Sequence, residues 1–122
     1  MLVADDRPVF RAAARMLIAA TPGFEQVGEA SSGVEALALA SDLQADVVLL
    51  DVRMPGMDGV ETARRLALHA PDSMVVLVSM DSARELEPLV AASGAATCIP
   101  KQELSPRVLR SVWDARGHGL PA

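Results

Sequence analysis

The chain has 122 residues, 51% of them hydrophobic, and a formal net charge of -5, the size and composition of one domain with one core. The acidic balance and the scarcity of aromatics (Phe10, Phe24 and Trp113) exclude a surface that binds nucleic acid unaided, since phosphate contacts need clustered Lys and Arg and base stacking needs rings. The one cysteine, Cys98, excludes an internal disulfide and offers no metal-ligand spacing, and without a membrane-length apolar run or a leader-like N-terminus the chain reads as soluble and cytoplasmic, with no membrane role.

Met1 to Ala4 is a short apolar run. Pro8 then stands where a first helical turn begins, with Asp6 before it as a candidate cap. Val9, Phe10, Ala13, Met16, Leu17 and Ala20 recur at helical spacing until Thr21-Pro22-Gly23 stops the pattern. Phe24 to Ala30 is a weaker extended segment, and Ser31-Ser32-Gly33 leads into a second helix through Val34, Leu37, Leu39, Ala40 and Leu43. The strand Val47 to Leu50 runs straight into Asp51, and the chain then breaks at Pro55, Gly56 and Gly59.

Val60 to Ala70 has helical spacing again, and Met74 to Val78 is a continuous aliphatic strand. Pro88 interrupts the segment that follows. An interior proline costs a helix about 3 kcal/mol, so a fourth helix is predicted to start late, near Glu87, and to end at Gly94, leaving residues 81–85 as loop. Ala95 to Ile99 is a last strand. The final helix has Ser105 as N-cap, Pro106 at its first position, a stripe of Val108, Leu109, Val112 and Trp113, and a predicted stop at Gly117.

Five βα units with strands that are apolar throughout call for a parallel sheet covered on both faces, a doubly wound α/β domain. Such folds bind ligands at the carboxyl ends of their strands. Asp5 and Asp6 follow the first strand, Asp51 the third, Ser79 the fourth and Lys101 the fifth. Crowded carboxylates repel by roughly 1 to 4 kcal/mol per pair at surface-like dielectric. A divalent cation relieves this, and oxygen ligands without His or Cys favour Mg²⁺. A phosphoryl group would complete such a site, with Lys101 and Ser79 on its oxygens and Asp51 as nucleophile. Each residue alone also has an ordinary reading, as a turn acid, a cap or a solvated lysine. Their joint placement at matched strand ends favours a site.

The motifs ADD at 4–6, LLDVRMPGMDG at 49–59, VLVS at 76–79, SGA at 93–95 and the isolated Lys101 resemble, over nearly the whole chain, the receiver domain of two-component response regulators. The resemblance implies a CheY-like, flavodoxin-like fold with sheet order 2-1-3-4-5. It implies that Asp51 takes a phosphoryl group from a sensor histidine kinase, that Asp6 binds Mg²⁺ directly and Asp5 through water, and that the main-chain carbonyl of Arg53 is a further ligand. Ser79 and Lys101 would hold the phosphoryl oxygens in the switched state. The phrase VADDRPVFRAAARMLIA and the DVRMPGMDG loop most resemble the LuxR/NarL-type subgroup, in which a helix-turn-helix effector follows a linker. The receiver domain is accordingly placed at residues 1–117, with 118–122 as a tail or linker stub. A homodimer is allowed, and DNA would be reached only through an effector outside this chain.

Three departures from the family pattern stand out. Cys98 occupies the position of the switch aromatic and is expected to be a small buried thiol rather than a redox sensor. Pro100 precedes the lysine and removes a backbone donor. Arg53 and Asp81, two residues beyond Asp51 and Ser79, have opposite signs and would tune loss of the phosphoryl group if they pair, but are otherwise two solvated charges. Two competing functions remain. A Mg²⁺-dependent aspartyl-phosphate hydrolase would want a second acid where Arg53 stands. A degenerate receiver would act as a phosphorylation-independent dimerisation or docking module.

Overall fold

A computed structural model describes residues 1–80 and 83–119. The elements run β1 (Leu2–Ala4), α1 (Pro8–Ala19), β2 (Gly28–Ala30), α2 (Gly33–Asp42), β3 (Val47–Asp51), α3 (Gly59–His69), β4 (Met74–Ser79), α4 (Ala83–Ser93), β5 (Thr97–Pro100) and α5 (Pro106–Gly119), with a 3₁₀ turn at Lys101–Glu103. All strand pairs are parallel, and the sheet order is β2-β1-β3-β4-β5. The doubly wound architecture expected from the apolar strands is the one observed.

Strand alternation divides the core in two. Leu2, Ala4, Val48, Leu50, Val75 and Leu77 pack on one face with Ala36 and Ala40 of α2 and Ala63 and Leu66 of α3. Val3, Val47, Leu49, Val76, Val78 and Ile99 pack on the other with Ala14 and Ile18 of α1 and Leu109 of α5. Because both faces are covered, β3 and β4 are buried at every residue, which is why they read as uninterrupted aliphatic runs.

Local caps set several boundaries. Ser32 Oγ accepts from the Glu35 amide at 3.1 Å, and Glu35 Oε1 accepts in return from the Ser31 amide at 2.9 Å, a reciprocal pattern that fixes the entry of α2. Asp58 Oδ1 accepts from the Glu61 amide at 2.9 Å, and Ser105 Oγ from the Val108 amide at 3.1 Å, the cap predicted for α5.

Five expectations need correction. The α4 helix begins at Ala83 and runs through Pro88. The fixed φ of proline is already helical, so the loss is one backbone hydrogen bond and some crowding, and Leu89 anchors the helix on the core. The α5 helix continues past Gly117 to Gly119, since glycine weakens a helix by about 1 kcal/mol without ending it. The extended segment before Ala30 shortens to Gly28–Ala30. The stripe of α1 is rotated: Phe10, Ala14, Leu17 and Ile18 face the core, whereas Val9 and Met16 are 83% and 76% exposed. Asp6 does not cap α1. The cap position is Arg7, without a side-chain cap bond, and its amide is taken by Asp5 Oδ1 at 2.8 Å.

Two glycines of the loop after β3 differ in what they require. At Gly56, φ is +78° and a Cβ would meet open space, so only the backbone conformation asks for glycine. At Gly59 a Cβ would lie 2.2 Å from the Asp51 carbonyl oxygen and 2.7 Å from Val52 Cα, while the Gly59 amide donates to the Val52 carbonyl at 2.8 Å. Here α3 starts directly against the end of β3. We therefore expect Gly59→Ala to cost about 3 kcal/mol or more and Gly56→Ala about 1 kcal/mol in urea unfolding. Equal costs would show that close approach is not what Gly59 supplies.

Candidate functional site

Parallel pairing puts every strand's carboxyl end on one edge, and the site is built there. Asp5 and Asp6 follow β1, and Asp51 closes the neighbouring β3. Ser79 ends β4 and is buried. It stands in register with Pro100, the residue before Lys101. Because β5 is an edge strand, the donor that Pro100 lacks leaves no gap inside the sheet.

Asp5 is fully buried and tied down on several sides. Its amide donates to the Ala30 carbonyl at 3.0 Å, its Oδ1 accepts from the Arg7 amide, and its carbonyl accepts from Arg11 Nη1 at 2.7 Å. Arg11 in turn lies 3.5 Å from Glu29, which also pairs with Arg15, so α1 is clamped to β2 beside the site. The remaining oxygen, Asp5 Oδ2, is buried and accepts no hydrogen bond of good geometry. Its compensation is ionic: Lys101 Nζ stands 2.7 Å away.

Lys101 is the only lysine in the sequence, and its side chain is 8% exposed. Its ammonium lies 3.6 Å from Asp51 Oδ1 and 4.3 Å from the centroid of the Phe10 ring. One cation thus faces two carboxylates and an aromatic face. Burial pushes the Asp51 carboxyl above the usual carboxylate range, with the Asp5 charge adding to the effect, while Lys101 and the backbone amide of Arg53 oppose it.

One oxygen from each of Asp5, Asp6 and Asp51 lies within 4.8 Å of the other two. This oxygen-only donor set, with a buried carboxylate oxygen that lacks a hydrogen bond, fits a hard divalent cation such as Mg²⁺. The arrangement is chemically suited to a nucleophilic carboxylate at Asp51, with Lys101 as the cation beside it.

The sequence-predicted acids and Lys101 are brought together, and Ser79 closes the adjoining strand end. The Arg53 side chain is exposed, and Asp81 lies outside the described residues. Cys98 is partly rather than fully buried, packed against the α2–α3 side of the core. Desolvation, with Glu87 nearby, raises its thiol pKa, the reverse of what a reactive thiolate needs. Two contributors went unread in the sequence. Phe10 looked like core alone, and Arg11 was given no role of its own, although its i,i+4 spacing to Arg15 on one helix face was visible.

A family model described as the response regulator receiver domain matches residues 1–112. The chain is 38% identical over 101 residues to the response regulator GacA of Pseudomonas viridiflava, covering 83% of this chain and 47% of that protein. It is 38% identical over 85 residues to the nitrate/nitrite response regulator protein NarL of Escherichia coli K12, covering 70% and 39%. The chain therefore spans less than half the length of these relatives. Among solved structures, the signal receiver domain of a NarL response regulator from Mycobacterium tuberculosis superposes with a TM-score of 0.83 at 32% identity, covering 93% of this chain and 92% of that one.

The buried charge at Asp51 has a thermodynamic consequence. A carboxyl whose folded pKa is raised binds more protons folded than unfolded, so its contribution to stability falls as pH rises from the unfolded value near 3.8 through the raised folded value. Without divalent cations, Asp51→Asn should be more stable than the parent at neutral pH, and the advantage should shrink as pH falls toward that lower value. Thermal melts of both proteins across pH check this. A variant less stable at neutral pH would mean that Lys101 outweighs burial.

Proposed function

The chain belongs to the response regulator receiver domain family, and from the geometry of its strand edge we propose that Asp51 is the phosphoacceptor, taking a phosphoryl group from the phosphohistidine of a sensor kinase. The observation that carries this is the Lys101 ammonium, buried and set 2.7 Å from Asp5 and 3.6 Å from Asp51. The buried cation at this edge is thus shared between Asp5 and the carboxylate that ends a fully buried strand.

An Asp51 carboxylate oxygen attacks phosphorus. The new O–P bond forms as the P–N bond of the donor breaks, and the electron pair leaves with the imidazole. Asp51 needs no base, because its carboxylate is already the nucleophile. Lys101 favours the ionised form of Asp51 and offers a cation to the transferred group. The Ser79 hydroxyl, at the neighbouring strand end, is assigned as a donor to a second phosphoryl oxygen. Asp5, Asp6, Asp51 and the main-chain carbonyl of Arg53 are the residues that would hold Mg²⁺, which when bound supplies neutralisation of the crowded negative charge.

Phosphorylation adds roughly 1.5 to 2 negative charges at this edge. With Cys98 in place of a switch aromatic, the change is assigned to Ser79 and the segment after β4 rather than to a rotating ring. The output is assigned to a helix-turn-helix effector outside residues 1–117, consistent with the similarity to GacA and NarL. Contact with DNA is assigned to that effector alone, and pairing into a homodimer is allowed for the receiver itself.

Intact mass after incubation with acetyl phosphate should show the gain of one phosphoryl group, dependent on Mg²⁺ and absent in Asp51→Asn. No gain in a folded chain would point to a phosphorylation-independent docking module, and a gain that survives Asp51→Asn would move the acceptor elsewhere.

A further inference from the structure

We propose that Phe10 is a positioning residue for Lys101, holding the ammonium at the strand edge from the α1 side. Lys101 follows β5, two strands away from β3 and three from β1 in the sheet, yet its ammonium reaches both Asp51 and Asp5. A lysine stem has four rotatable carbons and much entropy to lose, and anionic partners alone do not fix it: the Asp5 contact lacks hydrogen-bond geometry and the Asp51 contact is 3.6 Å long. The Phe10 ring, 4.3 Å from Nζ, adds a third wall.

The ring is suited to this because it attracts a cation without competing for it as an anion does. It also keeps that wall dry, which strengthens the pull of both carboxylates on the ammonium. Alternation of the strands puts Phe10 on the correct face: Val3 and Leu49 belong to the α1–α5 side of the core, as does Phe10, and Asp5 and Asp51 continue the same alternation two residues on. A merely structural Phe10 would be replaceable by an aliphatic side chain.

The chain's single lysine gives a direct test, because a sample labelled only at lysine Cε and Nζ reports on this site alone. In the unmodified protein the Lys101 Hε protons should resonate upfield of a free lysine, in the shielding cone of the ring, and should return toward the free value in Phe10→Leu. Phosphorylation by acetyl phosphate with Mg²⁺ should slow about three- to tenfold in Phe10→Leu and stay near the parent rate in Phe10→Tyr, which keeps the ring. A Lys101 signal at the free-lysine position in the parent, a Phe10→Leu rate equal to the parent's, or a Phe10→Tyr rate as low as that of Phe10→Leu would each overturn the assignment. The rate arm depends on Asp51 being the phosphoacceptor and the lysine signal does not, so a displaced signal in a protein that takes no phosphoryl group would sink the function while leaving Phe10 in place.

Discussion

Two carboxylates held out of water at the ends of adjacent strands, with one buried ammonium between them, set the terms for the rest of this molecule. Asp5 and Asp51 are nearly inaccessible, and a buried carboxylate without a partner would cost several kcal/mol. The surrounding structure is arranged to hold them close. The Asp5 backbone is fixed by Ala30 and Arg11, its Oδ1 by the Arg7 amide, and Asp51 by a neighbouring backbone amide. Gly59 lets α3 begin against the Asp51 carbonyl. These constraints do not favour stability for its own sake. They hold a destabilising charge cluster in one geometry, which is the signature of a functional edge rather than of packing.

The two faces of the sheet divide the work. Asp5 and Asp51 meet Lys101, whose ammonium lies over the ring of Phe10 on the α1–α5 side of the core. Cys98 packs on the other side with Leu89 of α4, and Ser79 continues the alternation of Val75 and Leu77 toward that same side. The proposed chemistry thus sits over one layer of helices and the proposed readout over the other, with the strand ends between them. The half-buried thiol, held in its neutral form by desolvation, fills the position with little volume and leaves the α4–β5 side without a ring to rotate.

Much of this was legible in the residues. The strands β3 and β4 are buried on both faces, so their aliphatic runs could be read without periodicity, and a lone Asp at the end of one stood out against them. The acids, Ser79 and Lys101 fell at matched ends because parallel strands share an edge. What failed to read was set by tertiary contacts. Met16 and Leu17 differ little in hydropathy, and only the rotation of α1 against β1 decides which is buried. Propensity placed a break at Pro88, but core anchoring of Leu89 outweighs one lost hydrogen bond. Asp6 has the right chemistry for a cap, but the cap position falls at Arg7, without a side-chain cap bond. Phe10 was visible as apolar, while its ring's contact with a lysine 91 positions later had no local trace.

The same charge balance suggests how a signal would leave the site. Lys101 in the unmodified chain is shared, closer to Asp5 than to Asp51. On the proposed reading, a phosphoryl group on Asp51 would add negative charge beside that ammonium, and Coulomb attraction would draw the cation toward it and away from Asp5. On the same reading, a cation held by Asp5, Asp6 and Asp51 would then compensate Asp5 Oδ2, which accepts no hydrogen bond. The backbone that must follow the movement is the 3₁₀ turn at Lys101–Glu103 and the β5 residues before it, which run along the α4 side through Cys98. With Cys98 at the switch-aromatic position, the stem of Lys101 would be a second proposed path from this edge, beside Ser79 at the end of β4.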